Sequence, residues 1–151
     1  MNTNSVATPS QAEETRSLTR HIPTVVRVLM GVLLLAFGLS GFFNLIPPPP
    51  IKLPDAAIAF NLGMMKTGYM FPLIFATQTV VGALLLLNRF VPLALALLAP
   101  FLVNSFLFHA FLVPSGLIMV FFFLAAELYL AWTYRKSFQP MLAMRAAPNA
   151  K

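Results

Sequence analysis

No cysteine occurs in this chain of 151 residues. That excludes disulfides, thiol catalysis, and zinc or iron–sulfur sites held by its own thiolates. Histidine is nearly as scarce: only His21 and His109 are present. A multi-histidine metal site or a bis-histidine haem within one chain is therefore not expected, and no metal site is assigned. Acidic residues number four: Glu13, Glu14, Asp55 and Glu127. None of the motifs GxGxxG, Walker A, HExxH or CxxC appears. Charged residues make up 9% of the chain, against roughly 25% in a soluble domain. No catalytic residue set emerges, and no catalytic activity of its own is expected.

Apolar residues fill the space left by this poverty, at 59% of the chain. They gather into four stretches, at about residues 24–45, 69–87, 91–112 and 116–134. An apolar helix needs ~20 residues to cross ~30 Å of hydrocarbon, and each stretch has about that length. The expected fold class is all-α: a polytopic membrane protein, a bundle of four transmembrane helices with a short interfacial helix on the outer surface. The lipid bilayer is its first partner.

The net charge of +6 is read by position and does not point to nucleic acid. Arg16, Arg20 and Arg27 precede or open the first stretch, Arg89 lies between the second and third, and Arg135, Lys136, Arg145 and Lys151 follow the fourth. With four crossings these eight face one side, and only Lys52 and Lys66 face the other. Short loops rich in Lys and Arg stay cytoplasmic, so both termini are expected there. The first apolar stretch exceeds a typical signal-peptide core of 7–15 residues, and an uncleaved first helix is expected.

Residues 1–20 are polar and lack apolar periodicity, which predicts a disordered cytoplasmic tail. The membrane domain is placed at 21–139 and a basic cytoplasmic tail at 140–151. Pro23 suits the first turn of a helix. Pro47 to Pro50 end the first span and favour an extended exit. Ile58, Leu62, Met65 and Tyr69 recur at helical spacing in a segment too short to span, which predicts a surface helix over 55–66 that turns at Gly68. Asn88-Arg89-Phe90 is short enough to make the second and third spans antiparallel neighbours. Pro100 should loosen the third span.

Polar groups inside apolar spans mark the interior of a bundle. Gly31 and Gly38 share a face of the first span with Arg27, and Gly82 lies one turn from Gln78 in the second. Such glycines let another backbone approach closely. Glu127 is the sole acidic residue inside a span. An ionised carboxylate there costs at least ~2.5 kcal/mol, so it is either protonated or partnered. At ~1.5 Å per residue, Glu127 sits ~10 Å from the cytoplasmic end, Arg27 ~5 Å and Gln78 ~15 Å. These three form the expected buried polar cluster, with an Arg27–Glu127 ion pair as its structural reading. Asn104 and His109 lie further out and are candidates for an outward-facing polar or ligand site. His109 is too far from Glu127 for an acid–base pair, and a loop carbonyl is its expected partner. Phe121-Phe122-Phe123 points in every direction and is read as lipid-facing bulk.

The run from Gly82 through Asn88-Arg89-Phe90-Val91-Pro92 to Pro100, then Asn104 and Leu107-Phe108-His109-Ala-Phe-Leu-Val-Pro114-Ser-Gly116, resembles the DoxX family of small bacterial membrane proteins. So do the Arg27…Gly31…Gly38 opening of the first span and Glu127-Leu-Tyr-Leu-Ala-Trp-Thr-Tyr-Arg135-Lys136-Ser-Phe138. The likeness covers about residues 24–140. It implies a four-helix bundle in the bacterial cytoplasmic (inner) membrane. It further implies association with quinone-linked electron transfer or with oxidative-stress complexes. Any thiol-based role of relatives is unavailable to a chain without cysteine.

The resulting functional reading is a membrane subunit or scaffold for a redox or oxidative-stress complex, with a quinone as the one cofactor entertained. A redox protein is the expected partner class, together with a homo-oligomer. The alternative is a small proton-coupled or small-molecule transporter acting as an oligomer, with Glu127 carrying the proton.

Overall fold

The computed structural model describes residues 9–45 and 52–142. Five helices of twelve residues or more follow one another: α1 Pro9–Phe43, α2 Asp55–Lys66, α3 Met70–Leu86, α4 Val91–Phe111 and α5 Leu117–Thr133. A short α6, Arg135–Phe138, and a 3₁₀ turn, Gln139–Leu142, close the described chain. No strand occurs among the described residues, so the all-α reading holds.

Three helical segments are long and apolar enough to cross a membrane: His21–Phe43, Val91–Phe111 and Pro114–Thr133. The expected second span, α3, has 17 residues, or ~26 Å. It forms with α2 a pair bent by 88°. Three to four helices are thus candidates to span a bilayer.

Two expectations at the N-terminal end need correction. Helix α1 begins at Pro9, so residues 9–20 continue the helix and are not an unstructured tail. Gln, Ala, Glu, Arg and Leu in that stretch are good helix formers, and extending a helix is far cheaper than starting one. Consequently Pro23 lies inside α1, at the cost of one backbone hydrogen bond, and not in its first turn. The proline run Pro47–Pro50 and the basic residues Arg145 and Lys151 lie outside the described residues.

The α2–α3 corner is built locally. Thr67 Oγ1 donates to the carbonyl of Met64 at 2.6 Å and accepts from the Met70 N–H at 3.1 Å. Gly68 follows with φ +76°, a conformation that costs side-chain-bearing residues ~1 kcal/mol or more. The surface-helix bounds expected from periodicity match α2. Only Ala57 of α2 is buried, while Ile58, Leu62 and Met65 remain exposed. Its apolar face therefore turns away from the other helices.

α1 and α3 make the most intimate packing in the molecule. A Cβ on Gly38 would meet the Thr79 amide nitrogen at 2.6 Å, and one on Gly82 would meet the Leu35 amide nitrogen at 2.6 Å. A Cβ on Gly31 would touch the Gly82 carbonyl at 3.1 Å. The three glycines thus let two backbones approach almost to contact.

Two zones stack along the bundle. Met30, Leu34, Val81, Leu85, Leu95, Leu98 and Leu130 form a dense buried core at the end that carries Arg27, Arg89 and Arg135. The opposite half, nearer α2, is hollow.

Candidate functional site: an aromatic cavity between the helices

The hollow is a cavity of about 800 Å³. All four long apolar helices contribute to it. Phe37 and Ser40 come from α1, Phe71, Phe75 and Gln78 from α3, Phe101 and Ser105 from α4, and Phe123 from α5. Met65 of α2 and Asn44 stand at its α2 end.

Spacing explains why these residues meet. Phe71 and Phe75, and likewise Phe101 and Ser105, are one helical turn apart and so share a face. The Phe71 and Phe75 rings stack at 5.8 Å between centroids. Phe37 and Phe123 face each other at 6.4 Å across the α1–α5 boundary. Of the Phe121–Phe123 run, Phe123 turns inward and lines the cavity, while Phe121 and Phe122 stay exposed.

Gln78 is 9% exposed, lines the cavity, and has no hydrogen-bond partner among the described residues. Ser105 lines it from α4 in the same unpartnered state. Only Glu127 Oε2 is a fully buried, unpartnered side-chain atom among the described residues, so the Gln78 amide is reachable from the hollow. The wall is therefore aromatic and apolar, with a few polar groups available to orient a guest. That is the general make-up of a small-molecule pocket.

The remaining sequence candidates fall elsewhere. Arg27 is 7% exposed, and its guanidinium donates to the carbonyl of Leu85. That carbonyl belongs to the last turn of α3, where it also accepts from the Asn88 N–H at 3.2 Å, at the end that carries the negative pole of the helix dipole. Arg27 thus caps α3. Glu127 is 6% exposed, and its Oε2 is buried with no hydrogen-bond partner. No ion pair between Arg27 and Glu127 is present among the described residues. Depth in the sequence puts Arg27 within reach of Glu127 and leaves a protonated carboxyl and an ion pair both open; the end of α3 competes for the guanidinium. Gln78 joins neither of them in a hydrogen bond.

His109 Nδ1–H donates to the carbonyl of Val113 at 3.0 Å, a loop carbonyl of the kind expected. Its ring packs so closely on Gly116 that a Cβ there would collide with it. Neither His109 nor Asn104 lines the cavity, and Asn104 is exposed. No group of three or more potential metal ligands occurs among the described residues.

Sequence reasoning notes Ser105 only as a polar group inside the third span, and it does not single out Ser40 or the inward phenylalanines as lining a site. The available signal was depth: they fall at one level of four antiparallel helices, on faces that repeat every turn.

Comparison with known proteins adds one positive finding. The DoxX family model matches residues 22–110. This span runs from the apolar part of α1 almost to the end of α4, and stops short of Glu127 and α5. No curated protein and no solved structure matches the chain. With more than half its length matched by that model and its helices of membrane-spanning length and hydropathy, the chain is an integral membrane protein that belongs to the DoxX family.

Proposed function

We propose that this chain is a membrane subunit of a redox or oxidative-stress complex that holds a quinone-class ligand in its aromatic cavity. One observation carries the reading: an open, aromatic-lined hollow of about 800 Å³ whose wall includes the amide of Gln78, which has no hydrogen-bond partner among the described residues. The volume lies in the range of roughly 300–1,000 Å³ that suits lipid-soluble ring compounds. A quinone when bound supplies reversible two-electron redox chemistry. The residues of this chain bind and orient it: Phe71, Phe75 and Phe123 offer ring faces and edges, while Gln78 and Ser105 offer hydrogen bonds to its carbonyl oxygens.

Membrane placement follows the charge pattern. α3 serves as the fourth crossing, its ~26 Å accommodated by slight local thinning. The Arg27, Arg89 and Arg135 end faces the cytoplasm, and α2 lies on the opposite surface of a bacterial inner membrane. The dense core beyond Gln78, and the absence of Glu127 from the cavity wall, favour a binding subunit over a proton-coupled transporter.

Photoaffinity labelling of the purified protein in nanodiscs with a photoreactive benzoquinone tests the reading. Label on peptides of α3 and α4 that is competed by unlabelled quinone is expected. Label confined to the Trp132 end, or not competed, contradicts it.

A further inference from the structure

We infer that the exposed seam of α4 is the interface with a second copy of this chain, registered by Asn104. Leu93, Leu97, Pro100, Asn104, Leu107 and Phe111 are all exposed. They recur at alternating spacings of four and three residues, the repeat that keeps one helix face against another along a left-handed crossing. The opposite sides of α4 are already used. Ala94, Leu95 and Leu98 are buried in the core, and Phe101 and Ser105 line the cavity.

Asn104 identifies the occupant. It lies ~20 Å along α4 from Val91, well inside a ~30 Å hydrocarbon layer. The hydroxyls of Thr77 and Thr79 have local solutions: they donate to the carbonyls of Leu73 and Phe75, at 2.8 Å each. Asn104 has no hydrogen-bond partner among the described residues. Lipid offers it neither donor nor acceptor. An amide carries both, so two Asn104 side chains across a twofold axis along the membrane normal satisfy one another. An apolar partner helix would leave it unsatisfied, and a charged one would find no opposite charge on this face. A single polar residue in an apolar seam also fixes register. Pro100, one turn away on the same seam, removes the donor that would have paired with the Ala96 carbonyl, leaving a further acceptor beside the contact.

Membrane amides paired across helices are worth enough to shift association about tenfold. The absence of native cysteine makes the test clean. Leu97→Cys and Leu107→Cys, introduced singly and oxidised in native membranes, are expected to form dimers, whereas Ile118→Cys and Leu29→Cys on other exposed faces are not. In nanodiscs or liposomes, Asn104→Leu is expected to raise the dimer dissociation constant about tenfold, and Asn104→Gln to keep most of the affinity. Equal cross-linking at all four positions overturns the proposal. So does a monomer under every condition, cross-linking to a different protein, or an Asn104→Leu variant that dimerises as well as the parent. The seam and the cavity lie on different sides of α4, so quinone binding that survives in Asn104→Leu separates this inference from the proposed function.

Discussion

Single atoms decide how closely α1 and α3 can lie. A Cβ at Gly38 would collide first with Thr79 Oγ1, and backbone atoms of Thr79 and Phe75 also stand inside 3.0 Å of it. Backbone cannot move aside as a flexible side chain can, so the helices must separate. Gly38→Ala and Gly82→Ala are each expected to destabilise the protein by about 2–3 kcal/mol, as overpacking does. Gly63 sits in α2 with nothing within 4 Å of where a Cβ would stand, and Gly63→Ala is expected to stabilise by roughly 0.5 kcal/mol. Unfolding in mild detergent, followed by circular dichroism, separates the three variants. Glu127 belongs to the same scale. Its buried Oε2 lacks a partner, so Glu127→Gln breaks no ion pair, and it lies off the cavity wall. The variant is expected to keep parental stability within about 1 kcal/mol and to leave quinone binding unchanged. A tenfold loss of binding would place the carboxyl in the site after all. The glycines were legible in the sequence because shared-face spacing is a local property. The pairing of Arg27 was not, because the competitor was a backbone carbonyl, and no residue type announces the end of a neighbouring helix.

At the scale of elements, the corner between α2 and α3 sets the α2 end of the cavity. Met65 of α2 and Phe71 of α3 both line the hollow, one on each side of the bend. The bend rests on Thr67 bridging Met64 and Met70, and on the positive φ of Gly68. Gly68→Ala is expected to cost about 1 kcal/mol, and Thr67→Ala about the same through the loss of its bonds to Met64 and Met70. Both are expected to weaken ligand binding more than they weaken the fold, because α2 contributes little to the core. Equal losses of stability and affinity would argue that α2 is an integral support. Sequence periodicity placed this helix and its turn well, since amphipathic spacing and glycine act within a few residues. It failed at the start of α1, where a polar stretch continues as helix. Composition reports the absence of a buried face, and a helix already begun on its apolar part needs none to continue.

For the whole molecule, a dense core at one end and a hollow at the other make the two ends of the bundle unlike. The charge asymmetry runs the same way along the bundle: Arg27, Arg89 and Arg135 at the dense end, Lys66 at the hollow end. Single cysteines at Arg89 and Lys66, probed in intact cells with an impermeant maleimide, test the orientation. Arg89→Cys is expected to be protected and Lys66→Cys to react, and the reverse pattern would invert the topology. Membrane character and helix order were legible in the sequence because hydropathy is additive along the chain. The cavity was hidden because it depends on which faces of four helices meet at one depth, a tertiary fact that no single span contains.

The sharpest test of the hollow is whether it binds its ligand. Equilibrium titration of the purified protein in nanodiscs with a short-chain benzoquinone is the measurement to make, corrected for partitioning with empty nanodiscs. Saturable binding at one site per chain is predicted, weakened about tenfold in Gln78→Leu and retained in Glu127→Gln. Partitioning indistinguishable from empty nanodiscs, or affinity indifferent to Gln78, would contradict the assignment of the cavity as a quinone-class site.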